Sequence, residues 1–272
     1  MVTACSGGST TTPEIVASTD VWGSVAAAVA GPDIAVKSLI GGPNTDPHSY
    51  QSTTADALAL REARLVVYNG GNYDEFAEKA VRGRSAPSIN AFDLRSATAD
   101  DNEHVWYDMN TVGAVAGRIA DELGRIDPAH ARAFTDRANA FRARLAGVTA
   151  ITAKIAATHP KAPVLQTEPI AHYLLTAADV EDRTPHEFEE AIEQGTDPAP
   201  ADLATTRDLL TTKAVRALVY NIQTEDKTTK DLADSAERAG VPVIDVTETL
   251  PAHSDFVTWQ TGNANALAAA LG

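Results

Sequence analysis

The chain has 272 residues, 44% of them hydrophobic and 22% charged, enough apolar material for one large core or two lobes of roughly 100–150 residues each. A formal net charge of −15 argues against a nucleic-acid partner, because phosphate binding needs clustered Lys and Arg. A single cysteine excludes an intrachain disulfide, and after the first residues no run of about 18 apolar residues offers a membrane span.

That cysteine, Cys5, sits in Val2-Thr3-Ala4-Cys5-Ser6-Gly7-Gly8, which resembles a bacterial lipoprotein cleavage box. A Ser/Gly/Thr-rich stretch to Pro13 reads as a flexible tether. The charged and apolar regions of a signal peptide do not precede it, so the signal reads as incomplete. The expectation is an exported protein with residues 1–13 as tether, held at the cell membrane by lipid on Cys5.

From Glu14 the pattern alternates strand and helix. Strands are expected at Glu14–Ser18, Ala35–Ile40, Leu65–Asn69 and Ser88–Phe92, with helices over Val21–Val29, Thr53–Ala63 and Asp74–Val81. Such alternation predicts a parallel sheet covered by helices, with ligands beyond the carboxyl ends of its strands. Asp46-Pro47-His48-Ser49-Tyr50 falls on a loop of that kind, with Pro47 stiffening the approach to His48. A polar loop from Ser96 to Glu103 leads into His104-Val105-Trp106-Tyr107-Asp108, and a helix is expected from Asn110 to Leu123.

Asp127-Pro128 then opens a long helix, with Asp127 as expected N-cap and Pro128 at the first helical position. Phe134, Phe141, Val148 and Ile155 recur every seven residues, with Ala138 and Leu145 between them. A helix of roughly 30 residues, about 45 Å, flanked by strand–helix repeats reads as a strut between two lobes. It reads less well as an oligomerisation coiled coil, because the stripe is short and Arg and Ala fill the other positions.

The alternation resumes after His159-Pro160. Strands are expected at Val164–Thr167, Ala217–Tyr220 and Val243–Val246. Helices are expected at Ala171–Ala178, Pro185–Glu193, Ala201–Leu210, Thr228–Ala239 and Phe256–Leu271. The predicted architecture is α/β, two parallel-sheet (β/α)4-type lobes bridged by one long helix: 14–126, 127–159 and 160–272.

Four residues occupy equivalent places after strands or loops: His48, His104, Glu168 and Glu248. Two imidazoles and two carboxylates suit a divalent transition metal. Asp56, Asp74 and Asp108 are candidates to orient the histidines, with Asp108 favoured. His172 reads as a packed or surface residue, and His130, His159, His186 and His253 receive no role.

Here the chain resembles the metal-binding receptors of bacterial zinc- and manganese-type ABC importers, the ZnuA-like solute-binding proteins. The resemblance rests on Asp46-Pro47-His48-Ser49-Tyr50, His104-Val105-Trp106-Tyr107-Asp108, Thr167-Glu168-Pro169-Ile170-Ala171-His172-Tyr173 and Val246-Thr247-Glu248-Thr249-Leu250-Pro251. Tyr220-Asn221-Ile222-Gln223-Thr224 resembles a family segment near the site, which makes Asn221 a further candidate. The resemblance implies that His48, His104, Glu168 and Glu248 hold the metal in a cleft between the lobes. It also implies that the protein serves an importer permease, as a monomer and not as an enzyme.

Two departures stand out. Glu248 replaces the usual aspartate, and the His-rich loop of many zinc-type members is absent between His48 and His104. The oxygen-rich set leans towards Mn²⁺, although intrinsic affinity ranks Zn²⁺ above it. Two rival functions are weaker. A haem or ferric-siderophore receptor needs Arg or aromatic contacts, and aromatics are only 6%. A metallohydrolase needs an open coordination position with a general base, and no His-Glu-x-x-His, Gly-x-Ser-x-Gly or Walker-type pattern occurs.

Overall fold

The structure, a computed structural model, describes residues 14–42, 47, 49–96 and 101–272. Cys5 and His48 lie outside the described residues.

The elements in chain order are β1 (Ile15–Thr19), α1 (Asp20–Ala30), β2 (Val36–Ile40), α2 (Thr54–Glu62), β3 (Leu65–Tyr68), α3 (Glu75–Val81), β4 (Ser88–Asn90) and α4 (Met109–Ile126). The long helix α5 (Ala131–Thr158) follows. Beyond it come β5 (Pro163–Gln166), α6 (His172–Ala177), β6 (Glu181–Asp182), α7 (His186–Glu193), α8 (Pro200–Thr211), β7 (Leu218–Asn221), α9 (Lys227–Ala239), β8 (Val243–Val246) and α10 (Phe256–Leu271). Two four-stranded parallel sheets result, ordered β2-β1-β3-β4 and β6-β5-β7-β8, so both lobes follow one winding pattern.

Both faces of each sheet are covered, and the strand sequences show it. Ile15, Ala17, Leu65 and Val67 join a core that runs through both lobes, while Val16, Val66 and Tyr68 turn to a smaller cluster under α2 and α3. In the second sheet Val164 and Val219 face the shared core, and Leu165, Leu218 and Tyr220 face the opposite cluster. Alternate residues point to opposite faces, so a strand buried on both sides is apolar throughout.

The helix α5 packs on α1 and α4 of the first lobe and on α6 and α10 of the second. Its buried residues are Phe134, Ala138, Phe141, Leu145, Val148, Thr152 and Ile155, one stripe along the helix. Arg137, beside that stripe, donates from Nε to Val29 O at 2.7 Å and from Nη2 to Ala30 O at 2.8 Å, capping the last carbonyls of α1. Gly31 makes this possible. Its φ is +81°, and a Cβ there would stand 2.9 Å from the guanidinium carbon.

Two details differ from the sequence reading. Asp127 stands at the N-cap and Pro128 at the first helical position, but the Asp127 carboxylate takes His130 Nδ1 at 2.6 Å, and this first turn, Pro128–His130, is a 3₁₀ helix. The edge strand β6 escaped the sequence reading because Glu181-Asp182 is polar and only two residues long. No helix among the described residues is long and apolar enough to cross a membrane.

Candidate metal centre

The carboxyl ends of the strands in both sheets open towards one another. Asp20, at the start of α1, ties the lobes at this level: Oδ2 accepts from Gly42 N at 3.0 Å and Oδ1 from Leu250 N at 3.1 Å. Burial pushes its carboxyl up despite these amides.

His104 is fully buried at the head of a 3₁₀ turn, Val105–Tyr107. Asn102 Oδ1 accepts from His104 N at 2.9 Å and lies 3.2 Å from His104 Nδ1. A backbone N–H can only donate, so the amide oxygen faces the imidazole and the proton resides on Nδ1. Nε2 then carries the lone pair, the form a metal ligand requires. Asn102 is itself held across the lobes, donating to Pro169 O at 2.9 Å and accepting from Tyr173 Oη at 2.8 Å through its carbonyl.

Glu168 leaves β5 in an extended conformation and is buried; Glu248 leaves β8 and is equally buried. One amide holds both. Asn221 Nδ2, at the end of β7 between them, donates to Glu168 Oε1 and, at 2.9 Å, to Glu248 Oε1. Its orientation is set because Asn221 Oδ1 accepts from Gln223 N at 3.0 Å. Thr224 Oγ1 donates to Glu168 Oε1 at 2.9 Å. Gln223 Oε1 accepts from Glu248 N at 2.6 Å and from Thr249 N at 3.2 Å, fixing the loop that carries Glu248.

Tyr73 supplies the link from the first lobe, donating to Glu248 Oε2 at 2.8 Å. It follows a turn in which Gly70 and Gly71 both have positive φ, +77° and +64°. Asp74 fixes that turn by accepting from Asn69 N at 2.7 Å and Gly70 N at 2.8 Å. The neighbouring Tyr107 phenol donates to Thr247 O at 3.0 Å; burial, with the charges of Glu248 and Glu168 adding to it, holds it neutral by pushing its pKa far up.

The arrangement brings Glu168, Glu248 and Asn221 together, while His104 stands on the other lobe with its ring centroid 6.4 Å from that of Tyr73, the residue that binds Glu248; His48 lies outside the described residues. Among the described residues, the group of three His or carboxylate side chains whose donor atoms all lie within 4.8 Å is Glu103, His104 and Glu193. Asp108 does not orient a histidine. Its carboxylate caps α4, accepting from Asn110 N, Thr111 N and Thr111 Oγ1, and Asn102 lies against His104 instead. Asp56 serves the N-terminal box of α2 with Thr53 and accepts from Tyr50 Oη, and Asp74 serves the glycine turn.

The sequence reading missed Asn102, Tyr73 and Glu193. Asn102 was hidden in a polar loop. Glu193 ends a helix rich in acidic residues, where each reads as solvated.

A family model described as the periplasmic zinc-uptake complex component A, ZnuA, matches residues 15–270. The chain is 28% identical to the zinc-binding protein TroA of Treponema pallidum over 126 residues, 43% of this chain and 41% of that protein, so the match spans less than half of TroA. It is 21% identical to the manganese-binding lipoprotein MntA of Bacillus subtilis over 243 residues, 84% of this chain and 76% of that one. The solved structure of the Treponema pallidum periplasmic zinc binding protein TroA superposes with a TM-score of 0.79 at 20% identity, covering 96% of this chain and 99% of that chain.

Proposed function

Because the chain belongs to the zinc-uptake complex component A family, we propose that it is an extracytoplasmic receptor that captures a divalent transition metal, Mn²⁺ or Zn²⁺, between its lobes. It delivers the ion to the permease of an ABC importer. The ligands are His48, His104, Glu168 and Glu248, with Asn221 orienting the carboxylates. The protein acts as a monomer and not as an enzyme, with residues 14–126 and 160–272 as lobes, 127–159 as the linking helix and 1–13 as a tether lipidated on Cys5.

One observation carries this reading: two buried carboxylates from the strands that flank β7 share a single amide donor on it, with a buried imidazole from the other lobe near Tyr73, which binds one of them. Two like charges brought this close out of water repel unless a cation joins them. Asn221 and Tyr73 supply partial positive charge until the cation arrives, and they keep the carboxylate oxygens in place for it. The carboxylates neutralise the ion, and two oxygen donors beside imidazole favour Mn²⁺ more than an all-histidine set would.

Release depends on small lobe movements, because Asp20, Tyr73, Asn102 and α5 all span the two halves. Calorimetric titration of metal-free protein with Mn²⁺ and with Zn²⁺ tests the proposal. One tight site, lost in both His104→Ala and Glu248→Ala, is the expected result; no tight divalent binding by the parent protein overturns it.

A further inference from the structure

Glu193, the last residue of α7, meets a histidine from the other lobe. Its Oε1 lies 3.7 Å from His104 Nε2, and Glu103 completes a trio of donor atoms within 4.8 Å of one another. A direct N–H···O bond would be shorter, about 2.9 Å. Two donors bound at about 2.1 Å to one tetrahedral ion stand roughly 3.4 Å apart. The observed separation suits two groups that share a cation better than two that share a proton.

A second feature bears on the same place. A groove of about 440 Å³ opens to solvent beside Glu193, and its wall also carries Asp197, Glu225 and Asp226. No Lys or Arg is among the described residues that line it. Gln223 and Thr224 belong to the same wall, and they are the residues that touch Glu248 N and Glu168 Oε1. The groove wall therefore carries both Glu193 and two residues hydrogen-bonded to the buried Glu248 and Glu168. The Glu193 side chain is 19% exposed, against 1% for His104. A concave wall of one charge sign concentrates cations and speeds their arrival.

We infer that Glu193 is an arrival ligand for the cargo. With His104 and Glu103 it takes a divalent cation from the groove and passes it inward to Glu168 and Glu248. This rests on the metal-receptor reading and adds to it a residue that sets the rate of capture.

Stopped-flow mixing with Mn²⁺ alone and with Zn²⁺ alone tests the inference, read through tryptophan fluorescence, since the Trp106 ring centroid lies 5.1 Å from that of His104. Glu193→Gln removes the donor charge and nearly keeps the shape. Asp197→Asn removes the same charge from the groove mouth, away from the histidine. Association should slow about tenfold in Glu193→Gln and less than about threefold in Asp197→Asn. Glu193→Ser, a second removal of the carboxylate, should match Glu193→Gln in association rate, and Asp197→Asn should keep one metal site and the parent's melting temperature. Parent-like association in Glu193→Gln and Glu193→Ser, or equal slowing in Asp197→Asn, overturns the inference. A parent protein that binds neither ion would instead remove the receptor reading itself.

Discussion

The Tyr73 phenol donates to Glu248 Oε2 at 2.8 Å, so a residue after the third strand of one sheet positions a carboxylate after the last strand of the other. The acceptor is buried and charged, and hydrogen bonds of that kind contribute about 1.5–3 kcal/mol. Tyr73→Phe should therefore lower the metal-free protein's urea midpoint and weaken metal binding by about tenfold or more. Unchanged affinity in calorimetry would show that Glu248 holds its place without the phenol.

Asn102 fixes the His104 tautomer, so its removal should affect binding although it is not itself proposed as a ligand. Asn102→Ala is expected to cost about 10–100-fold in affinity. Asn102→Asp retains an acceptor for Nδ1 and should recover part of the loss. Titration of both variants checks this, and equal affinities for the two would sink the tautomer argument.

Much of the fold was legible because it rests on local pattern. The heptad-spaced Phe134, Phe141, Val148 and Ile155 are all buried on α5, and the apolar β-branched strands are buried on both faces. What the pattern did not disclose was where polar side chains go. Asp108 looked well placed to orient a histidine, yet α4 begins one residue later and its open amides claim that carboxylate.

Arg137 offers a test of stability apart from binding. It donates to two terminal carbonyls of α1, far along the chain from the candidate ligands. Arg137→Ala should destabilise the fold by about 1–3 kcal/mol in chemical denaturation. Metal affinity should stay within about twofold of the parent's.

Glu189 predicts a pH dependence. Burial, followed by the charge of Asp182, pushes its carboxyl up from 4.5 to about 7, against the opposing influence of His186. The folded state therefore holds a proton that the unfolded chain releases. This contribution to stability is fully present below about pH 4.5 and is lost as pH rises through about 7. The slope is at most about 1.4 kcal/mol per pH unit, and less where solvent screens the group. Glu189→Gln should flatten that part of the curve of melting temperature against pH between 4.5 and 7. Parallel curves for parent and variant would count against the buried acid.

The sequence by itself determined the two parallel α/β lobes, the long helix between them and the order of the candidate ligands along the chain. Those features follow from hydrophobic period, turn chemistry and motif, which act over a few residues. Only the tertiary structure decided that Asn221 holds Glu168 and Glu248 together, that Tyr73 reaches Glu248, and that Glu193 faces His104. These contacts join residues between 27 and 175 positions apart. No local pattern encodes such distances; they arise when two separately wound sheets are packed with their carboxyl ends facing across one cleft.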